Sequence, residues 1–252
     1  MPVIKYSAYF DASGKVGQHP VISVAGAIAR VDKWLALERR WNSILKKYDV
    51  TEFRASDFAS SKGEYKSWGK GDPRRSPFFK SLVETIEANT LKRVCYSCDV
   101  EAWNIANAEF ILDVHFSSPY VMCACKSVGE VKRISNNHPT EVFLEDGDAG
   151  IGEVQRLCKG DGSIIPERLS KRGIVAFQVA DLIAWKNRTN ITRVLQSLKS
   201  GLPRHKLIPL LDAEIESLGS ALIAPGDAHL FDLTNLRNTC RNIKAEKRIT
   251  TN

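Results

Sequence analysis

The nine residues Phe177-Gln178-Val179-Ala180-Asp181-Leu182-Ile183-Ala184-Trp185 constrain this chain more than any other stretch. They belong to a run over 174–186 that is apolar nearly all round at helical spacing. A helix of that kind offers no face to water and is expected to be buried. Gln178 and Asp181, the polar side chains within it, are three apart and share one face. An ionised carboxylate stranded there costs several kcal/mol or more, so Asp181 requires a partner. A Lys or Arg from another element would serve, and so would a metal ion; the helix alone leaves both open.

Other segments supply a sheet to bury this helix. Residues 3–11 (VIKYSAYFD) are rich in β-branched and aromatic residues, end at the turn Ala12-Ser13-Gly14, and predict a strand. The apolar run over 20–29 is its natural hairpin partner. Asp32 can cap a helix carrying Trp34, Leu35, Trp41, Ile44 and Leu45. Residues 51–58 are ambiguous, 60–77 predict a loop, and 78–89 and 119–135 predict helices. Strands are expected over 91–100 and 141–146, and the last fifty residues are expected to be helical and polar, interrupted by Pro203, Pro209 and Pro225. An early hairpin followed by alternating helices and strands gives an α/β fold, a mixed sheet with helices packed on it. With 252 residues, 43% hydrophobic and 26% charged, the chain is globular. The expected organisation is one domain over 1–200 with a helical C-terminal extension over 201–252.

No apolar run approaches the ~18 residues of a membrane span. The opening MPVIKYSAYFDASG lacks a long apolar core and carries Asp11 early, so it is not read as a signal peptide. Six cysteines are too few for a disulfide scaffold, and a cytoplasmic protein with reduced thiols is expected. Cys95 and Cys98 should point to opposite faces of a strand, and Cys123 and Cys125 lie far apart around a helix, so neither pair makes a zinc site. The five histidines show no ligand spacing, and there is no GxSxG elbow or GxxxxGK[ST] loop.

Acids recur at element ends. Asp11 closes the first strand on the same face as Tyr9. Glu145-Asp146-Gly147-Asp148 closes a later one, and like charges ~4 Å apart repel by about 4 kcal/mol at an effective dielectric near 20. A divalent cation would relieve that repulsion, as would solvent. The EF-hand pattern fails, because Leu157 stands at its twelfth position, and the glycine spacing is not that of a dinucleotide fingerprint. Glu52 and Asp57 add two further acids. Net charge is nevertheless +7, which permits a polyanionic partner. One basic stretch mixes Lys66, Lys70, Arg74, Arg75 and Lys80 with Tyr65, Trp68, Phe78 and Phe79, the combination that contacts phosphates and stacks on bases. Another sets Arg237, Arg241, Lys244, Lys247 and Arg248 along one helical stripe.

Taken together, the acids resemble the cluster of the ribonuclease-H-like superfamily. Tyr9-Phe10-Asp11-Ala12-Ser13-Gly14 resembles the Y-x-D-x-S-G opening of the domain-of-unknown-function family numbered thirty-eight hundred, and Gln178-Val179-Ala180-Asp181-Leu182-Ile183-Ala184 its Q-x-A-D-x-I-A closing phrase. Glu52-Phe53-Arg54-Ala55-Ser56-Asp57 is similar to its middle E-x-H/K-x-S-D phrase, with Arg54 where His or Lys is common. The resemblance covers about residues 3–190. It implies a ribonuclease-H-like mixed sheet flanked by helices and a catalytic set of Asp11, Glu52, Asp181 and either Glu145 or Asp146. Asp11, Asp146 and Asp181 would be the ligands of two Mg²⁺ or Mn²⁺ ions that hydrolyse phosphodiesters of RNA or DNA. Lys66, Lys70, Arg74, Arg75, Arg237, Arg241 and Lys244 would bind the nucleic acid. The alternative is a non-catalytic nucleic-acid-binding or defence-like module on the same fold; strand transfer would call for a separate DNA-binding domain, and none is evident.

Overall fold

A computed structural model of the chain describes residues 4–136, 138–200 and 228–250. The hairpin forms as expected, with β1 (Tyr6–Ser13) antiparallel to β2 (Val21–Arg30). Chain order then continues through α1 (Val31–Lys47), α2 (Ala55–Ser60), α3 (Arg75–Asn89), β3 (Lys92–Asp99), α4 (Val100–Phe110) and α5 (Pro119–Ser135). It proceeds through β4 (Thr140–Glu145), α6 (Ile151–Gly160), β5 (Glu167–Leu169) and α7 (Val175–Lys199), and resumes with β6 (Ala228–Phe231) and α8 (Leu233–Thr250).

The six strands form one sheet in the order β5-β4-β1-β2-β3-β6. β2 runs antiparallel to both neighbours, while β4 is parallel to β1, β5 to β4 and β6 to β3. This is the mixed sheet flanked by helices that the resemblance implies. The β2 sequence explains its central position. Its apolar residues run almost without a break, because both of its faces are covered: Ala25, Ala27 and Ala29 face one core, and Ile22, Val24 and Ile28 the other. The first core holds side chains of α1, α2, α3 and α7; the second holds those of α4, α5, α6 and α8. Three alanines in alternation let α7 approach the sheet closely, and Val179, Ala180, Leu182, Ile183 and Ala184 are all buried there. Cys95 and Cys98 point into opposite cores.

Some elements differ from the sequence expectations. α7 continues thirteen residues past Lys186, its added turns being polar and half-exposed. Arg30 rather than Asp32 stands at the N-cap of α1, and Leu35 points to solvent. Residues 55–60 form a short helix. The short strands β5 and β6 carry too few residues to show a period. β6 lies in the stretch expected to be helical, and Pro203, Pro209 and Pro225 lie outside the described residues. Among the described residues no helix is long and apolar enough to cross a membrane.

Candidate metal centre

β1 and β4 run parallel, so their C-terminal ends open on the same edge of the sheet. Asp11 lies near the end of β1 on the face covered by α7, and Glu145 is the last residue of β4. The turn after β4 brings Asp148 back beside them. One carboxylate oxygen from each of Asp11, Glu145 and Asp148 lies within 4.8 Å of the other two.

Asp11 is 3% exposed. Its Oδ1 accepts the Ala12 backbone N–H at 2.8 Å, whereas its Oδ2 is buried with no hydrogen-bond partner. The Lys171 ammonium is 3.8 Å from that Oδ2 and 3.7 Å from Glu145 Oε1, close enough to attract but too far to donate a hydrogen bond. Burial, with repulsion from Asp181, Asp148 and Glu145, outweighs Lys171 and pushes the Asp11 carboxyl up to about 8. Burial and Glu145 raise Asp148 to about 6. Burial works against the Lys171 ammonium, but Asp11, Glu145, Asp181 and Asp148 more than compensate and hold its pKa above the usual lysine value. The hydroxyl of Tyr120, from α5, faces Asp148 and is itself held up by burial and by that carboxylate.

Asp181, on α7, lies outside this three-carboxylate group but near enough to repel Asp11. Its Oδ2 accepts the Ala55 N–H at 2.7 Å, which ties α7 to the first turn of α2. Burial raises its pKa against that hydrogen bond and the more distant pull of Lys171 and Arg54. Among the described residues it has no ion-pair partner within 4.0 Å. Gln178, one turn earlier on the same face, accepts from both Trp41 Nε1 and the Phe53 N–H at 2.9 Å. The two polar residues of the buried helix therefore hold the segment 52–55 against it. Glu52, Arg54, Ser56, Lys171 and Asp181 line a cleft of about 120 Å³ at this junction, and Glu52 is ion-paired with Arg54 at 3.0 Å.

Asp146 is turned away from the cluster. Its side chain is 57% exposed, 3.9 Å from Arg168, and Asp148 occupies the inner position instead. In the run Glu145-Asp146-Gly147-Asp148 the sequence does not mark Asp148 as the inner acid, because the turn geometry that inverts the roles of Asp146 and Asp148 leaves no periodic signal. Lys171, on the loop before α7, had no signal either.

The basic stretches are placed as follows. Tyr65, Trp68, Phe78 and Phe79 are all core residues, which corrects the idea that they stack on bases. Arg75 is spent internally: it donates to Phe58 O, Trp68 O and Ser61 Oγ and covers the Phe58 ring. Arg74 pairs with Asp72 at 2.7 Å and lies over Trp68. Lys66 and Lys70 are exposed. On α8, Arg237 pairs with Glu109 at 2.8 Å and Arg241 is exposed, while the Lys244 side chain lies outside the described residues.

No protein-family model matches the chain, and no curated protein matches it. Among solved structures, it is similar to a chain in the complex of PCNA and RNase HII from Archaeoglobus fulgidus, with a TM-score of 0.44 and 13% identity over 79% of each chain.

Proposed function

We propose that the chain is a divalent-cation-dependent phosphodiesterase acting on RNA or DNA. The observation that carries this reading is the Asp11 Oδ2 atom, buried without a hydrogen-bond partner and facing two more carboxylates within 4.8 Å. Lys171, at 3.8 Å, attracts this atom but is too far to donate to it, so the protein leaves the buried oxygen without a hydrogen bond. The donor set is all carboxylate oxygen, which fits a hard cation such as Mg²⁺ or Mn²⁺ rather than zinc. Asp11, Glu145 and Asp148 would hold one ion, and Asp11 with Asp181 a second; Asp146 as a ligand would require the turn to rearrange. Bound ions of this type activate water and offset charge on the leaving oxygen.

The chain's own residues do the rest. Asp11 and Asp181 are fixed by the Ala12 and Ala55 N–H groups, so their free oxygens are preorganised. Lys171, once released from Asp11 and Glu145, carries its ammonium to the anionic oxygens of the substrate. Glu52, held by Arg54, flanks the cleft.

The test is cleavage of labelled single- and double-stranded RNA, DNA and hybrid with Mg²⁺ or Mn²⁺, and with chelator. Wild type should cleave at least one substrate with metal, and Asp11→Asn and Asp148→Asn should not. Binding without cleavage would favour the second reading, a non-catalytic nucleic-acid-binding module. Its supporting observation is that Lys171 already supplies a positive charge at the centre of the cluster.

A further inference from the structure

Several arginines are matched to acids: Arg30 to Asp32, Arg54 to Glu52, Arg74 to Asp72 and Arg133 to Glu130. Arg188, on α7, is half-buried and has no such match. Its Nε donates to Ser13 Oγ at 2.8 Å, and among the described residues no acceptor is found for its two terminal nitrogens. Burial lowers its pKa, and no acid acts to restore it. Gly14, at φ +98°, makes room for the arginine stem: a Cβ there would stand 2.4 Å from Val21 O and 3.0 Å from Arg188 Cδ. His19 folds back over the hairpin tip, its Nδ1 accepting the Lys15 N–H at 3.1 Å. Burial and the Arg188 charge hold the His19 pKa down against the hydrogen bond to the Lys15 backbone, and no carboxylate acts on it. Arg188 and His19 thus share a partly buried corner with the exposed Lys15 beside it, and among the described residues no carboxylate pairs with any of the three. A guanidinium with two terminal nitrogens still open is suited to a phosphate.

The corner has a defined place relative to the carboxylates. Ser13 follows Asp11 by two residues on the same face of β1, about 7 Å further along. Arg188 follows Asp181 by seven residues on the same face of α7, about 10 Å further along. A strand rising 3.4 Å per nucleotide covers that separation in about two to three nucleotides. We propose that Arg188, Ser13, Lys15 and His19 form a phosphate subsite that seats a backbone phosphodiester two to three nucleotides from the one at the carboxylates. The subsite sets the register of the strand; it rests on the phosphodiesterase reading for its place in a reaction, but not for its capacity to bind phosphate.

The test is made in chelator, so that neither metal nor cleavage enters. Inorganic phosphate is titrated while the His19 ring resonances are followed by NMR, with chloride at equal ionic strength as control. Wild type should show a saturable, phosphate-specific shift, Arg188→Gln should weaken it about tenfold or more, and Arg188→Lys should retain part of it. In a second arm, a labelled single-stranded 12-mer is bound over a range of salt; Arg188→Gln should lower the slope of log K against log salt by about 0.7. Lys15→Gln, at an exposed position outside the packing, should lower it similarly and covers the case in which Arg188→Gln folds poorly. Absence of a phosphate-specific shift, a shift unchanged in Arg188→Gln, or salt slopes unchanged in both variants would overturn the subsite. Failure of wild type to cleave with Mg²⁺ or Mn²⁺, with both binding results intact, would overturn the phosphodiesterase reading and leave the subsite standing.

Discussion

Replacing Gln178 with leucine separates the architecture of the site from its chemistry. The Gln178 side chain is 6% exposed, and its Oε1 accepts two hydrogen bonds at 2.9 Å, from the indole of Trp41 and the backbone N–H of Phe53. Both donors are buried, and the two rings meet edge to face at 6.0 Å, so water cannot easily replace the lost acceptor. A buried donor left without a partner costs about 1–3 kcal/mol, so two cost about 2–6 kcal/mol. The more apolar leucine returns about 1–2 kcal/mol, leaving an expected net loss of about 1–4 kcal/mol. Urea unfolding of wild type and Gln178→Leu would measure it. Trp41→Phe removes one of the two donors, so in that background the loss should shrink by about 1–3 kcal/mol. Because Phe53 lies between Glu52 and Arg54, any activity should fall more than a purely global destabilisation would produce. A loss under about 1 kcal/mol, or the same loss in both backgrounds, would refute the idea that this amide holds segment 52–55 to the buried helix.

Four further outcomes are expected. Asp11 carries its proton up to about pH 8 in the metal-free fold but only to about 3.8 when unfolded. The folded state then binds the extra proton, so stability relative to Asp11→Asn should fall by about 1.4 kcal/mol per pH unit between those values, and saturating Mg²⁺ should flatten the slope; parallel denaturation curves for the two proteins would contradict this. Asp148→Asn should weaken Mn²⁺ binding at least tenfold and Asp146→Asn far less, as read by calorimetry. Gly26→Ala should unfold or severely weaken the hairpin, because a Cβ there would stand 1.8 Å from Tyr9 O, and circular dichroism melts would detect it. Arg75→Leu should lower stability by about 1–3 kcal/mol with little effect on nucleic-acid affinity, since its donors end on Phe58 O, Trp68 O and Ser61 Oγ.

What was legible in the sequence was whatever burial writes as a pattern. The run over 174–186 is apolar nearly all round, and α7 is buried there; the apolar run over 20–29 reads as the hairpin partner, and β2 is that strand. Asp11 and Asp181 stood out because an acid in apolar surroundings is costly, and the same cost now shows as raised pKa values. The exchange of Asp146 for Asp148 was not legible, because it depends on the path of a four-residue turn rather than on composition. The aromatics of 65–79 misled for a related reason. Cations interleaved with rings read alike whether the rings face a ligand or the core, and here Phe58, Tyr65, Trp68 and Phe78 pack on one another. Lys171 and Arg188 lacked any local signal: each matters through what lies across the fold from it.

The carboxylates that meet at the end of β1 come from β1 itself and from β4 and its turn, with Asp181 of α7 near enough to repel Asp11 and Tyr120 of α5 standing over Asp148. The two helices pack on opposite faces of the sheet, and the contributing strands are separated by more than a hundred residues of chain. A partly folded chain with only one layer docked would present these acids singly, each in water and each with negligible hold on a cation. Cation affinity is therefore a property of the assembled whole, and a bound ion would favour the complete fold over every partial one by RT ln(1 + [ion]/Kd). A chain in which the ion site is intact reports, by that fact alone, that both layers are in place.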